Sequence, residues 1–194
     1  MAFFTVDRNK AENSRKPRLL DCGERLYDAG SEGLAWRLQR GVIRLDSPHA
    51  NGERFASLAI AGDIVGCETL LFGAYTFSAS ALTGCELAPW PEGEPALAGE
   101  SLLASLARAQ QRAGEIVALR GGQAAERVLG LIRLLVDQNG QVILPMRQDI
   151  AEITDLRFET ISRIIKQLER SGILNPARVA GVHATRSFHY AGPN

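Results

Sequence analysis

The clearest pattern of apolar and polar positions lies near the end of the chain, where two short helical segments follow each other. Residues 147–153 and 157–170 read as helices, and residues 154–156 between them read as a tight turn. The second segment has one apolar face and one polar face. The apolar face consists of Ile161, Ile164, Ile165 and Leu168. The pattern therefore predicts a helix-turn-helix.

Residues 18–90 show a second pattern, in which short strand-like runs alternate with glycine-containing turns. The runs are residues 25–27, 34–38, 41–45, 55–60, 77–82 and 86–88. Asn51-Gly52, which lies between two of these runs, is a hairpin signal. Many short strands that are punctuated by glycine predict a small barrel or jelly roll.

Residues 100–120 show a third pattern, because they lack proline and are rich in Ala, Leu, Arg and Gln. Apolar positions in this stretch step by four and three residues, which is the heptad-like seam of two associating helices. The positions are Leu102, Leu106, Ala109, Ala113 and Ile116. We therefore predict a long helix that pairs with a second copy of the chain. For Leu102 and Leu103, packing against the β-rich region is the alternative.

The segments around the long helix are connectors. Residues 1–17 are polar and mixed and read as a lead-in, and residues 89–95 read as a proline-containing linker. Gly121-Gly122 is expected to stop the long helix and is a hinge candidate.

The rest of the chain completes an α+β protein of two domains. The predicted elements are a helix at residues 123–137, a strand at 141–144, and a wing hairpin that pairs 173–174 with 182–190. We expect a β-roll with the long helix in residues 1–120. A winged helix-turn-helix is expected in residues 121–194.

Composition narrows the class of protein. The formal net charge is zero and the hydrophobic fraction is 45%, as in an ordinary globular protein. We find neither a membrane-spanning run nor a signal peptide, so we expect a cytoplasmic protein without a membrane partner. Cys22, Cys67 and Cys85 form no CxxC pair and read as buried thiols, with a redox switch as the alternative. Without a triad, metal-ligand cluster or phosphate loop, we predict neither an enzyme nor a metal site.

The polar face of the second helix carries chemistry that suits DNA. Arginine can donate two hydrogen bonds to guanine O6 and N7, and glutamate can accept one from cytosine N4. Glu159 and Arg163 lie one helical turn apart, with Ser162 beside them, and together fit base reading in a major groove. The alternative is a solvated surface helix, because such helices also carry a charged face.

The amino-acid sequence of this region resembles that of a known protein family. RQDIA, ETISR and LERSGIL resemble the helix-turn-helix of the CRP/FNR family of bacterial regulators, which includes the cyclic AMP receptor protein and the fumarate–nitrate reduction regulator. The recognition helix is most similar to that of the second branch. The resemblance implies base reading by Glu159, Ser162 and Arg163. It also implies a homodimer on a palindrome of double-stranded DNA similar to TTGAT-N4-ATCAA, with RNA polymerase as a further partner.

Contacts to the DNA backbone are assigned to a wider set of side chains. The set is Arg147, Gln148, Arg157, Thr160, Lys166, Arg178 and Arg186. The resemblance itself implies phosphate contacts for Gln148 and Lys166. For Arg178 and Arg186 in the wing, exposure in a turn without a DNA contact is the alternative.

Three positions depart from the family pattern. Phe158 stands where the cyclic AMP receptor protein has a base-reading arginine, so we do not expect a TGTGA-type site; packing of Phe158 against the turn is the alternative role. Asp155 replaces the usual turn glycine, which is tolerable because aspartate can adopt the left-handed conformation. Arg157 replaces a Thr or Ser, so the second helix loses a side-chain N-cap.

The β-rich region resembles the family's sensor β-roll, which is of the cyclic-nucleotide-binding kind. In members that bind cyclic nucleotide, a Gly-Glu pair holds the ribose and an Arg-Ser pair holds the phosphate. Here Gly66 is followed by Cys67, Glu68 is displaced by one position, and Tyr75 and Thr76 replace the Arg-Ser pair. Without that guanidinium we do not expect cyclic AMP as the effector. Three cysteines are too few for the iron–sulfur cluster of the relevant branch.

No cofactor is predicted, and the effector stays open. His49 could ligate haem iron as in gas-sensing relatives, but it falls at an expected hairpin tip, where a solvated histidine is the more common case. Two rival functions remain, namely a small-molecule sensor that works through protein partners and an enzyme built on the β-roll.

Overall fold

A computed structural model describes residues 16–91, 95–183 and 186–192. The chain divides into two compact units, the first of which ends at Ala109 while the second begins at Gln110. The α+β class, with a β-roll and a winged helix-turn-helix, is confirmed. The predicted domain boundary after residue 120 stays a prediction. Most of the predicted lead-in and the middle of the predicted linker lie outside the described residues.

The described part of the first unit contains eight strands in two antiparallel sheets. In spatial order, one sheet consists of β1 (Arg18–Leu20), β8 (Cys85–Pro89), β3 (Trp36–Arg40) and β6 (Ile64–Val65). The other consists of β2 (Arg25–Tyr27), β7 (Ser78–Ala81), β4 (Val42–His49) and β5 (Gly52–Ile60). The predicted hairpin is confirmed, since β4 and β5 pair antiparallel up to His49 and Gly52.

Strands β1 and β6 are missing from the sequence-based prediction, which is wrong at these two places. They have three and two residues, so their side chains are too few to show an alternation. Both owe their extended form to pairing, β1 with β8 and β6 with β3. The sheets bury an apolar core in which Leu38, Ile43 and Leu87 have no solvent exposure.

Among the described residues of the first unit, two helices lie wholly or partly within it. The short helix α1 (Thr69–Phe72) follows the Gly66 turn, and the long helix α2 (Pro95–Ala118) runs across the boundary between the units. The predicted start of the long helix at residue 100 is wrong, because the helix already begins at Pro95. Proline suits the first helical position, where its missing N–H removes no intrahelical hydrogen bond.

The described part of the second unit contains three further helices and a small sheet. They are α3 (Ala124–Leu135), β9 (Gln141–Ile143), α4 (Arg147–Thr154), α5 (Phe158–Arg170), β10 (Leu174–Pro176) and β11 (Ser187–Tyr190). The sheet order is β10-β11-β9, all antiparallel, so the wing strand β11 pairs on both sides. At Gly130 inside α3, an added Cβ would lie 2.7 Å from Leu119 Cδ2, so this leucine packs closely on the helix.

Candidate nucleic-acid interface

The turn between α4 and α5 has the geometry of a helix-turn-helix. Helix α4 ends at Thr154, and Asp155 follows in the left-handed region with φ 52° and ψ 49°. The N–H groups of Asp155 and Leu156 both donate to the carbonyl of Ala151, which closes the helix end. The prediction that an aspartate adopts the left-handed conformation at this turn is confirmed.

Helix α5 is fixed by its apolar face. The four predicted side chains, Ile161, Ile164, Ile165 and Leu168, are all buried. Burying each such side chain stabilises the fold by roughly 1.5–3 kcal/mol. Since this face is covered by the unit itself, the opposite face of the helix is the one that solvent or a partner can reach.

That opposite face opens into a shallow cleft of about 580 Å³. The cleft is lined by Phe158, Glu159, Ser162, Arg163, Lys166, Gln167 and Arg170. All three predicted base-reading residues are in this set, with Glu159 and Arg163 exposed and Ser162 half-buried. The structure therefore places a carboxylate, a hydroxyl and a guanidinium on one accessible surface.

Phe158 contributes an apolar element to the same cleft. Its side chain is 48% exposed at the first position of α5. Packing against the turn, the alternative role of this residue, would therefore cover no more than about half of the side chain. The preceding residue, Arg157, has extended backbone angles and gives no side-chain cap, as expected from its type.

The predicted phosphate-contacting residues have different surroundings. Gln148, Arg157, Lys166 and Arg178 are exposed, whereas Arg147 and Thr160 are half-buried. Arg186 has a structural bond, because its Nε donates to the carbonyl of Leu144 at 2.8 Å. Part of the Arg186 guanidinium therefore serves to hold the wing, which sequence reasoning did not foresee.

The predicted seam on α2 divides into exposed and covered members. Leu106 is 49% exposed, and Ala109 and Ala113 are exposed as well. Leu102 is half-buried against the cluster of Ala35, Ile64 and Trp90, and Ile116 is buried.

Two apolar side chains that the predicted seam leaves out stand in the solvent on the same helix. Leu103 is 69% exposed and Val117 is 73% exposed. They combine with Leu106 and Ala113 at steps of three, seven and four residues, a second heptad-like seam beside the first. The apolar spacing of both seams is visible in the sequence. It does not show which seam is buried by the rest of the chain and which stays exposed.

The interior of the β-roll is filled by aromatic rings. Tyr27 and Tyr75 stack with centroids 3.7 Å apart and planes within 5°, and both are buried. Tyr75 Oη donates to the carbonyl of Leu34 at 2.7 Å. The backbone closes on its ring, because a Cβ at Gly33 would lie 2.2 Å from Oη and one at Gly66 would lie 2.6 Å from a ring carbon.

The neighbouring polar groups of the roll are bonded to one another. The backbone N–H of Thr76 donates to the Glu68 carboxylate at 3.3 Å, and the backbone of Tyr75 exchanges bonds with the turn at Gly30 and Ser31. Burial raises the pKa of the Tyr27 hydroxyl well above its usual value. The Tyr75–Thr76 segment is thus hydrogen-bonded to other parts of the roll, whereas the Tyr27 hydroxyl is buried without a hydrogen-bond partner among the described residues.

The cysteines and histidines of the described residues form no group that could hold a metal ion. Burial raises the pKa of the Cys85 thiol to about 11 and also raises the pKa of Cys67. His49 is exposed at the end of β4, beside the hairpin turn, as expected from the sequence. Among the same described residues, no helix is long and apolar enough to cross a membrane.

Comparison with known proteins reveals clear relatives, although no protein-family model matches the chain. The nitrogen fixation regulation protein FixK of Bradyrhizobium diazoefficiens is 32% identical over 176 residues, which cover 77% of this chain and 73% of that protein. The protein of the same name from Rhizobium meliloti is 28% identical over 159 residues, covering 78% and 74%.

Solved structures show the same fold. A CRP-family transcriptional regulator from Thermus thermophilus superposes with a TM-score of 0.67 at 23% identity, over 90% of this chain and 92% of that one. The structure of FixK2 from Bradyrhizobium japonicum gives a TM-score of 0.66 at 22% identity, over 91% and 92%.

Proposed function

The chain belongs to the CRP/FNR family of transcription regulators, and from this premise we propose that it acts as a homodimer on a DNA palindrome similar to TTGAT-N4-ATCAA. The observation that carries the proposal is the open cleft on α5, where Glu159, Ser162 and Arg163 lie together while the other face of the helix is buried. A helix that reads DNA bases needs such a division between a buried apolar face, which fixes it, and an exposed polar face, which contacts the bases.

Each side chain in the cleft has a role that its chemistry supports. Arg163 donates two hydrogen bonds to a guanine, and Glu159 accepts one from a cytosine N4. Ser162 helps to choose the half-site. Phe158, half of which is exposed, offers an apolar surface to a thymine methyl group, which suits a half-site rich in thymine.

Contacts to the phosphates provide affinity and make it depend on salt. The exposed cations Arg157, Lys166 and Arg178 are the ones we assign to this role, together with Gln148. Arg147 and Thr160 are half-buried and assist from the edge of the surface. Arg186 stays in the proposed set, although its Nε donates to the carbonyl of Leu144.

Dimerisation is proposed along the exposed side of α2. The seam consists of Leu103, Leu106, Gln110, Ala113 and Val117, which are all exposed in the single chain. It replaces Leu102 and Ile116 of the predicted seam, because these two are already covered by their own chain. Ala109 lies beside it. On one palindrome, the two DNA-reading helices of a dimer have to reach half-sites about 34 Å apart. Pairing of the two long helices can hold them at such a spacing.

The β-roll is proposed to work without a bound nucleotide. Tyr75 and Thr76 stand at the positions of the family's Arg-Ser pair, the Tyr75 ring stacks on Tyr27, and the Thr76 N–H is bonded to Glu68, which supports the expectation that cyclic AMP is not the effector. We assign neither an iron–sulfur cluster nor haem to the chain. RNA polymerase is the further partner expected of a regulator of this kind, and no enzymatic activity is proposed.

The test is fluorescence anisotropy of the purified, ligand-free protein on a TTGAT-N4-ATCAA duplex and on a scrambled duplex at physiological salt. We expect tight binding to the palindrome alone. Arg163→Ala should weaken palindrome binding by about 1–3 kcal/mol. Lys166→Ala should weaken binding to both duplexes and reduce the salt slope by about 1. Equal binding to both duplexes, together with indifference to Arg163→Ala, would instead favour a sensor that works through protein partners.

A further inference from the structure

The glycine turn between α2 and α3 is bonded to the end of α4 through one side chain. Arg127 Nε donates to the carbonyls of Gly121 and Gly122 at 3.2 and 3.1 Å. The Nη1 of the same guanidinium donates to the carbonyl of Thr154 at 3.3 Å. One half-buried arginine of α3 therefore joins two backbone segments that are more than thirty residues apart in the sequence.

The bond to Thr154 lies where a helix needs a donor. The last carbonyls of an α-helix have no intrahelical partner, and they form the negative end of its dipole. Arg127 serves the carbonyl of Thr154, and Arg120 Nε reaches the carbonyl of Ile153 at 3.4 Å. Hydrogen bonds from a guanidinium are charge-assisted and are stronger than those between neutral groups.

The end of α4 determines where the DNA-reading helix begins. Asp155, Leu156 and Arg157 are all that separate Thr154 from α5. A displacement of the α4 end is therefore transmitted almost directly to Glu159. Since Arg127 fixes this end to the Gly121-Gly122 turn, the same side chain holds both the turn and the helix-turn-helix.

We propose that Arg127 is a positioning residue for DNA reading, which makes the Gly121-Gly122 turn, α3 and the helix-turn-helix move as one body. The inference rests on the proposed function, because base reading is what the anchor positions. It also changes the role of the glycine turn, which the sequence alone suggested as a hinge. Gly122 has a φ of 75°, so glycine is required there to direct its carbonyl in this geometry.

The role requires arginine specifically. Three carbonyls on two segments are served by a planar fork with several donors, whereas the lysine ammonium is a compact point charge on a flexible stem. Arg127→Lys therefore keeps the charge near the helix end but loses the shared geometry. Arg127→Ala removes both.

The experiment compares Arg127→Ala and Arg127→Lys with the control Arg133→Ala. Arg133 lies on the same helix and donates to Tyr190 in the wing sheet, so the control removes the same charge from α3 without touching the anchor. On the palindrome and scrambled duplexes, we expect both Arg127 variants to lose about tenfold in the affinity ratio, as the loss of a charged hydrogen bond implies. Arg133→Ala should keep the ratio of the wild type.

A second readout does not depend on DNA. Amide hydrogen exchange at Asp155 and Leu156, whose N–H groups bond to Ala151, should accelerate about tenfold in Arg127→Ala, because the helix end loses its outer donor. The Ala191 amide, which bonds to Ile173, should be unchanged.

An unchanged affinity ratio in folded Arg127→Ala overturns the proposal, and so does full recovery of the ratio by lysine. If the wild type itself shows no preference for the palindrome, the proposed function fails, and the exchange experiment alone then decides on the anchor. Equal exchange rates in wild type and Arg127→Ala would show that Arg127 does not hold the end of α4.

Discussion

Replacing Gly33 by alanine should destabilise the β-roll, and shortening Tyr75 should remove that cost. A Cβ at Gly33 would lie 2.2 Å from Tyr75 Oη and 2.8 Å from two ring carbons, far inside ordinary contact. The ring cannot step aside without loss, because it stacks on Tyr27 and its hydroxyl donates to the carbonyl of Leu34.

The magnitude follows from these contacts. Overpacking a filled core costs about 1–3 kcal/mol. Displacing the hydroxyl also loses its hydrogen bond, worth about 1 kcal/mol. We therefore expect Gly33→Ala to cost about 2–4 kcal/mol, a large share of the roughly 5–15 kcal/mol that stabilises a domain.

The Tyr75→Leu background gives the comparison, because leucine ends before the atoms that crowd Gly33. Gly33 lies outside the left-handed region, so alanine there strains no backbone. In this background, Gly33→Ala should stabilise by about 0.4–1 kcal/mol through the unfolded chain. The coupling between the two changes is then about 2–5 kcal/mol.

Urea unfolding, monitored by tryptophan fluorescence, measures these free energies of unfolding. The chain has two tryptophans, Trp36 and Trp90, and both belong to core clusters of the first unit, so the signal reports on the roll. Gly84→Ala is the matched control, since a Cβ there meets nothing within 4 Å. If Gly33→Ala costs the same in both backgrounds, the ring does not pack on that backbone and the roll is not closed by Tyr75.

Asp155→Gly should stabilise the protein by up to about 1 kcal/mol, since glycine adopts φ 52° without penalty, and a lower melting temperature would contradict this. Val117→Asp should convert the proposed homodimer to a monomer in sedimentation velocity, whereas Leu71→Asp, on an exposed leucine outside the seam, should not. A dimeric Val117→Asp protein would refute the seam. Burial raises the pKa of the Cys85 thiol to about 11, so Cys85 should resist iodoacetamide at pH 8 until the protein is unfolded. Rapid labelling of Cys85 in the folded protein would contradict its burial.

The helix-turn-helix could be predicted from the sequence because its determinants are local. Four apolar side chains at helical spacing define the buried face of α5, and the residues between them define the open one. The left-handed Asp155 follows from the position of the turn. The placement of Glu159 and Arg163 in one cleft needed no more than these two facts.

Other features depend on contacts between distant parts of the chain. Helix α2 has apolar positions on two adjoining stripes, and packing of Leu102 on the roll decides which stripe remains exposed. Tyr75 meets Gly33 across more than forty residues, and Arg127 donates to carbonyls of the Gly121-Gly122 turn and of the α4 end. No periodicity marks such partners, because each is a single side chain.

Over evolutionary time, the ring of Tyr75 restricts the order in which its neighbours can change. A lineage that first replaces the tyrosine by a smaller residue removes the atoms that lie nearest to a Cβ at position 33, whereas a substitution of Gly33 has to wait for that change. Gly66 stays constrained in either case, because its φ of 74° excludes most residues independently of the ring. Related sequences should therefore show tyrosine at 75 together with glycine at 33, and a varied residue at 33 only where the tyrosine has been lost.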